Sequence, residues 1–506
     1  MLPRAVPSFE PPHRVLPADA EPPAVAAYRR ALPEGRVLAY PLDPLDHLGL
    51  PVWSAELFAA RAGGHHHGVG YGATDGRAAV GAFGELCEEL FAGAAIKTMR
   101  RRRASYRDLL SEVGPEGVLD PVTACLPAGS SYTPERHLRW VEARRWATGE
   151  PVLVPLELAA ASPVDAEPEG EWLVLPVTNG LGAGPTLEHA LAHGLLELVQ
   201  RDGNSATYRA LDRGVRVALD DVRSAETRAL LDRLDQQGVE VVVKLASTDF
   251  GLANLYVVGA EREPEKTPHP LALTAGGEAA HPDREAALGK ALIEFCASRS
   301  RKIFANGPLA AMAAVAPGAY VGRALRSATR EHEEERSLRE SVDWLGLGAG
   351  EMRDLLEDPV LAVRSEVEFS SLPEPRGVPV GSAADLVAGR LLEAGFDVLF
   401  VDFSPPAGDI SVVKAIVPGL EVETASYGRI GARNLRRLLD RDDGLAGTGA
   451  SPPGGRKVLL PENERESFPG DPWLDVEALD EKVGRLYPLY REPSRHLAAL
   501  VADGVL

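Results

Sequence analysis

Residues 178–202 read TNGLGAGPTLEHALAHGLLELVQRD. The glycines stop at Thr186, whose hydroxyl can accept a hydrogen bond from a free N–H at a helix start. From Leu187 to Leu211 apolar and small residues then recur at helical spacing without a proline. Just upstream, WLVLPV is apolar and β-branched and reads as a strand that leads through the glycines into this helix. Two other long helices flank it in the chain. One covers Arg77–Arg100, with Gly84 and Gly93 as weak points, and the other runs from Asp283, its N-cap, to about Phe304. Strands fill the intervals. They are the two runs of RVLAYPLDPLDHLGLPVWSAELF, a hairpin over His137–Leu158 turning at Gly149–Pro151, and VEVVVKLA with ANLYVVGAE before a turn at Thr274–Gly277. Later, DLVAGRLLEAGFDVLFVDFS reads as a helix, a stop at Gly395 and a buried strand, with VVKAIVPGLE as its strand partner.

The 506 residues carry 54 Lys and Arg against 74 Asp and Glu, a net charge of −20, which excludes a general binder of nucleic acid. Length predicts about two to four domains. Three cysteines, Cys87, Cys125 and Cys296, form neither a disulfide framework nor a CxxC pair, so a reducing cytoplasm is expected. No run approaches the ~20 apolar residues of a membrane span, and MLPRAVPSFEPPHR lacks the apolar core of a signal peptide. Four segments follow from composition: a Pro-rich arm at 1–36 with one short helix near Ala24–Leu32, a body at 37–440, a Gly/Pro linker at 441–455, and a segment at 456–506 with helical patterns over Val476–Leu486 and Ser494–Val501. The charged run ATREHEEERSLRESVDW reads as a solvated helix face.

Each long helix sets polar pairs at i, i+3 or i+4 in an otherwise small or apolar surface, so that the members share a face. These are Glu85 and Glu88 beside Glu89, then Glu197, Gln200 and Arg201, then Lys290 and Glu294. Charges on apolar helices are costly unless paired or metal-bound, so the clusters are candidates to meet in one buried site. Carboxylates mixed with a few cations fit Mg²⁺, a hard ion that takes oxygen ligands, together with phosphate, whose charge Arg and Lys offset. The sequence has no GxxxxGK[ST], and neither GLGAG nor GVGYG has GxGxxG spacing, so side chains would have to hold a nucleotide. His65–His67, in a glycine-broken loop, have no fixed geometry for a metal. Cys87 and Cys296 lie two residues from Glu85 and Glu294, about 200° round the helix, and are expected in the core.

The 178–202 stretch closely resembles the central signature of YcaO-domain proteins. In the same order, PLDPLDHLGLPVWSA with GVGYGATDGRAAVGAFGELCEEL resembles that family's amino-terminal ExxER segment, HPDREAALGKALIEFCASRSR its RxxxE helix, and FDVLFVDFSPPAGDISVVKAIVPGLE its late strand pair. The likeness covers about residues 37–440. It implies an α+β fold of mixed β-sheets flanked by helices around an internal nucleotide cavity. ATP and Mg²⁺ would sit there, with Glu85, Glu88, Glu197 and Gln200 toward the metal and His193, Arg201, Lys290 and Glu294 toward the nucleotide. The family pattern is altered at Gly81, Glu89, His189, Gln200 and Lys290. The change at 89 puts an anion where the motif has arginine.

Members of the family activate a backbone amide of a ribosomally made precursor peptide with ATP, giving an azoline, thioamide or amidine. The resemblance therefore implies an ATP-dependent cyclodehydratase or related enzyme of RiPP biosynthesis. Its partners would be a precursor peptide, an E1-like or TfuA-like protein and a second copy in a homodimer, with neither nucleic acid nor a membrane. The alternative is a degenerate YcaO-fold subunit that binds peptide for a partner enzyme. No residue is assigned as catalytic base. The proline-rich tail of azoline-forming members is replaced by RHLAALVADGVL, with Pro488 and Pro493 the nearest equivalents.

Overall fold

The computed structural model describes residues 21–59, 64–166, 168, 170–205, 211–331, 333–374, 380–406 and 408–506, with the side chains of 380–382 outside that description. Most of the Pro-rich arm, and the end of the helix expected to reach Leu211, lie outside the described residues. The principal helices are α1 (Pro23–Ala31), α2 (Asp75–Thr98), α3 (Leu187–Asn204), α4 (Arg284–Asn306), α5 (Glu335–Leu345), α6 (Val380–Glu393), α7 (Ala432–Arg441) and α8 (Leu497–Ala502). Thr74, Thr186 and Asp283 cap α2, α3 and α4 through side-chain hydrogen bonds to the first-turn N–H groups.

Seventeen strands form four sheets among the described residues. In chain order they are β1 (Gly35–Pro41), β2 (Val52–Ala59), β3 (His65–Tyr71), β4 (Arg102–Ser105), β5 (His137–Arg145), β6 (Pro151–Pro155), β7 (Leu181–Gly184), β8 (Val215–Ala218) and β9 (Val239–Ser247). They continue as β10 (Ala253–Glu261), β11 (Gly277–His281), β12 (Ser365–Glu368), β13 (Leu399–Asp402), β14 (Ser411–Ile416), β15 (Ala446–Thr448), β16 (Gly455–Lys457) and β17 (Pro472–Asp475). The sheet orders are β1-β2-β3, then β4-β5-β13-β14-β7 with β6 on β5, then β11-β10-β9-β8-β12, and β15-β17-β16. Only β8 and β12 pair in parallel. With helices packed on these sheets the class is α+β, as expected.

β3, β7 and β11 each end a sheet, and each lies under a long helix at a glycine. A Cβ on Gly70 would sit 2.0 Å from the Ala82 nitrogen of α2, one on Gly182 would sit 2.0 Å from the Ala190 oxygen of α3, and one on Gly277 would sit 2.0 Å from the Ala291 oxygen of α4. Helix backbone thus rests directly on strand backbone. Behind these contacts lie the cores: Phe83 and Leu86 of α2 with Trp53 and Leu57, Leu195 of α3 with Val413, and Leu292 and Phe295 of α4 with Leu255 and Val257.

The same glycines account for three departures from the sequence reading. The strand expected at WLVLPV is instead the glycine run Leu181–Gly184, because α3 needs a bare strand beneath it. His65–His67 are not in a loop but open β3, whose Gly68 and Gly70 admit α2. The turn expected at Thr274–Gly277 runs into the strand β11 before α4 starts. A fourth departure concerns 441–455, read as a linker: β15 and β16 lie within or across it and both pair with β17. Leu474, Leu479 and Leu486 share a core with Tyr256 and Val258, so the carboxy-terminal segment packs on the body. The charged run forms α5, with Ser337, Leu338, Ser341 and Trp344 buried beneath its solvated face. All three cysteines are buried and unpaired. No helix among the described residues is long and apolar enough to cross a membrane.

Two tests follow from packing and charge. Gly70→Ala is expected to destabilise the protein by about 3 kcal/mol in denaturant unfolding, because helix backbone has to move. Gly431, the N-cap of α7, has no side chain, and the carboxylate of Glu421 instead accepts from Gly431 N at 2.6 Å and Asn434 N at 3.0 Å. Burial, with Asp202 nearby, pushes this carboxyl up from 4.5 to about 7. The folded state then holds a proton that the unfolded chain releases. That contribution to stability is complete below about 4.5 and lost as pH rises through about 7. Glu421→Gln is expected to flatten that part of the curve of melting temperature against pH.

Candidate active site

The inner faces of α2, α3 and α4 wall a single cavity of about 990 Å³. All eight residues singled out in the sequence line it: Glu85, Glu88, His193, Glu197, Gln200, Arg201, Lys290 and Glu294. They reach it from the flank of the face that each helix seats on its glycine strand, so that Val69 N and Gly180 N donate to Glu85 and Glu197 there. Gly81 and His189 line the cavity as well. A Cβ at Gly81 would stand 3.0 Å from Gly70 Cα, so close packing on β3 accounts for the missing side chain.

The polar groups are paired across elements. Val69 N–H of β3 donates to the Glu85 carboxylate, yet burial pushes that carboxyl up to about 7. Glu88 lies 3.4 Å from His193 Nδ1. Burial opposes a charge on His193, but the Glu88 carboxylate outweighs it and raises the imidazole pKa. Gly180 N donates to Glu197 at 2.9 Å, and Arg201 stands 3.7 Å from the same carboxylate. Tyr71 OH donates to Glu294 at 2.8 Å, and burial together with Glu278 raises the Glu294 pKa. These carboxylates sit where a divalent cation would relieve their burial.

Several cavity residues escaped the sequence reading. Glu278, on β11, accepts from Gln200 Nε2 at 3.2 Å, Arg201 Nη1 at 3.1 Å and Asn204 Nδ2 at 3.3 Å, so it sets the direction of the last turn of α3. Its short strand gave no periodic signal. Arg301 lies seven residues beyond Glu294, on the same face of α4, and that spacing could have found it. Lys302, Glu492 and Arg495 also line the cavity, with Lys302 paired to Glu492. Glu89 faces the cavity too. His66 Nδ1 lies 3.2 Å from its carboxylate and His67 N donates at 3.1 Å. Burial works against this anion, but His67 and His66 hold it well below the ordinary carboxylate range. The three histidines are therefore fixed by carboxylates, His65 by Glu56 at 2.7 Å.

Oxygen donors are the right chemistry for Mg²⁺, and the buried Asn204 Oδ1 has no hydrogen-bond partner. Among the described residues no three His, Cys, Asp or Glu side chains are near enough to enclose a metal by themselves. That fits an ion completed by phosphate oxygens and water. The residues present therefore fit a Mg²⁺–nucleotide.

An acid-rich cavity walled by three helices, with cations among its lining, defines a phosphate-and-metal type of site. The family model for YcaO cyclodehydratases, ATP- and Mg²⁺-binding, matches residues 69–421, and the chain belongs to that family. An uncharacterised protein of Methanothermobacter thermautotrophicus is 28% identical over 77% of this chain and 90% of its own length. A protein described as uncharacterised in the tfuA 3′ region of Rhizobium leguminosarum bv. trifolii is 27% identical over 78% and 86%. In fold, the chain is similar to a heterocyclase in complex with substrate and cofactor, at TM-score 0.54 and 18% identity, covering 79% of this chain and 52% of that one. It is also similar to YcaO from Methanopyrus kandleri bound with AMPPCP and Mg²⁺, at TM-score 0.52 and 21% identity, covering 80% and 91%.

Glu278→Ala removes the acceptor shared by Gln200, Arg201 and Asn204. A loss of about 1–3 kcal/mol in unfolding free energy is expected, measured by denaturant titration, since Arg201 keeps partial solvent contact.

Proposed function

We propose that the chain uses Mg-ATP to activate a backbone amide of a ribosomally made peptide. The observation that carries this reading is the meeting of carboxylates from three separate helices with Arg201 and Lys290 in one cavity. Glu85, Glu88, Glu197 and Gln200 would hold Mg²⁺, and His193, Arg201, Lys290 and Glu294 would surround the nucleotide. When bound, Mg-ATP supplies the phosphoryl group that turns the amide oxygen into a leaving group. Glu278 holds Arg201 in place for the phosphates, so that little ordering remains on binding. Burial opposes a charge on His193, but Glu88 raises its pKa, which favours the imidazole as a donor beside the metal-facing carboxylates. The body at 37–440 supplies these groups, and the 456–506 segment closes the cavity with Glu492 and Arg495. The product is an azoline, thioamide or amidine. The Rhizobium relative is described by its position near tfuA, which favours a TfuA-like partner and a thioamide. The three unpaired cysteines support a cytoplasmic setting.

A second reading, a peptide-binding subunit without nucleotide chemistry, draws on Glu89, an anion on the cavity wall already engaged by His66 and His67. Calorimetric titration separates the two. Mg-ATP is expected to bind with micromolar affinity, and Arg201→Ala to weaken it at least about tenfold, or ~1.4 kcal/mol. ADP or AMP release in the presence of the precursor peptide is expected to vanish in the same variant. No binding to the unaltered protein leaves the subunit reading.

A further inference from the structure

Phosphates need cations, and Arg201, Lys290, Arg301, Lys302 and Arg495 line this cavity. Arg201 is engaged by Glu278 and Glu197, and Lys302 by Glu492. Arg495 is in a different position. It lines the cavity from the carboxy-terminal segment, and its Nη1 donates to Glu56 Oε1 at 3.1 Å. Glu56 is fully buried on β2, and it has partners besides Arg495. Ser54 Oγ donates to it at 2.5 Å and Tyr40 OH at 3.2 Å, while His65 Nε2 lies 2.7 Å away. A guanidinium carries five N–H groups, so Arg495 can keep or relax one bond to Glu56 and still present a fork to an anion.

The backbone around Arg495 is fixed on both sides. Ser494 N donates to Glu333 at 3.2 Å, and His496 N donates to Ala305 O of α4 at 2.6 Å. His496 holds φ +67°, and its Nε2 pairs with Tyr320 OH at 2.8 Å. A histidine held at positive φ by tertiary contacts marks a turn that the surroundings impose. Here the turn aims its neighbour into the cavity. The charge of Arg495 acts on Glu85 of α2 as well as on Glu56, and Glu89 of α2 brings negative charge to the same cavity.

We propose that Arg495 binds the phosphates of the nucleotide at the α2 wall, supplying from the carboxy-terminal segment a cation that the cavity-lining residues of α2 lack. This rests on the Mg-ATP reading above. Glu56 is then its resting partner, and the exchange of Glu56 for phosphate accompanies nucleotide binding.

The test compares Mg-ATP with adenosine, which has no phosphate, by calorimetry on the full chain. Arg495→Gln is expected to weaken Mg-ATP at least about tenfold and leave adenosine unchanged. The double variant Glu56→Gln/Arg495→Gln has no buried unpaired charge, and it is expected to regain thermal stability while keeping the same tenfold loss. Wild-type Mg-ATP affinity in the double variant overturns the inference and leaves Arg495 a mere counter-ion of Glu56. Should the neutral variants not fold, Arg495→Lys keeps the charge but not the fork, and a several-fold loss for Mg-ATP alone is expected. Unchanged binding there also overturns the inference. Failure of the unaltered protein to bind Mg-ATP would instead overturn the reading on which it rests.

Discussion

The contact of helix backbone on strand backbone, made at Gly70, Gly182 and Gly277, is the constraint on which the rest of the structure depends. Each of these strands ends its sheet, so each would otherwise leave a row of unpaired backbone groups toward the interior. A helix seated so closely must turn its other side away from the sheet. Three such helices around three sheet ends leave a space between them, and the residues facing it flank the contact, Glu197 about 20° round from Ala190 and Glu85 and Glu294 about 60° round from Ala82 and Ala291. Glu85 and Glu294 reach the space in this way, whereas Cys87 and Cys296, about 140° round from the same seated residues, are buried in the core.

Inside that space, the protein balances buried charge by linking separate elements. Glu88 and His193 join α2 to α3, Glu278 joins β11 to the end of α3, and Tyr71 and Glu294 join β3 to α4. Each pair offsets part of a desolvation cost that neither group could bear alone. The offset is incomplete at Glu85 and Glu294, whose carboxyls are raised by burial. Incomplete compensation of this kind concentrates where a ligand is to complete it.

Much of this was legible in the sequence, and the parts that were not share a cause. Helical periodicity and the caps Thr186 and Asp283 located α3 and α4, spacing selected Glu85, Glu88, Glu197, Gln200, Arg201, Lys290 and Glu294, the family resemblance added His193, and all of these line one cavity. Glycine misled because its local meaning is a turn, whereas here it serves a distant helix that single-chain pattern does not reveal. β7 and β11 were hidden in this way, and Glu278 was hidden with β11. GLAGTGASPPGG has the composition of a tether, yet β15 and β16 gain order from pairing with β17. Arg495 had no local signal, since its partner stands on β2.

The bond between Glu56 and Arg495 joins residues 439 positions apart. On a ribosome adding about 5–20 residues per second, roughly 20–90 seconds separate the emergence of the two. Through that interval Glu56 has only its nearer partners, Ser54, Tyr40 and His65. A chain ended between Asn306 and Arg495 therefore carries α2, α3 and α4 but lacks the cation that pairs with Glu56, while an amino-terminal tag leaves that pair untouched.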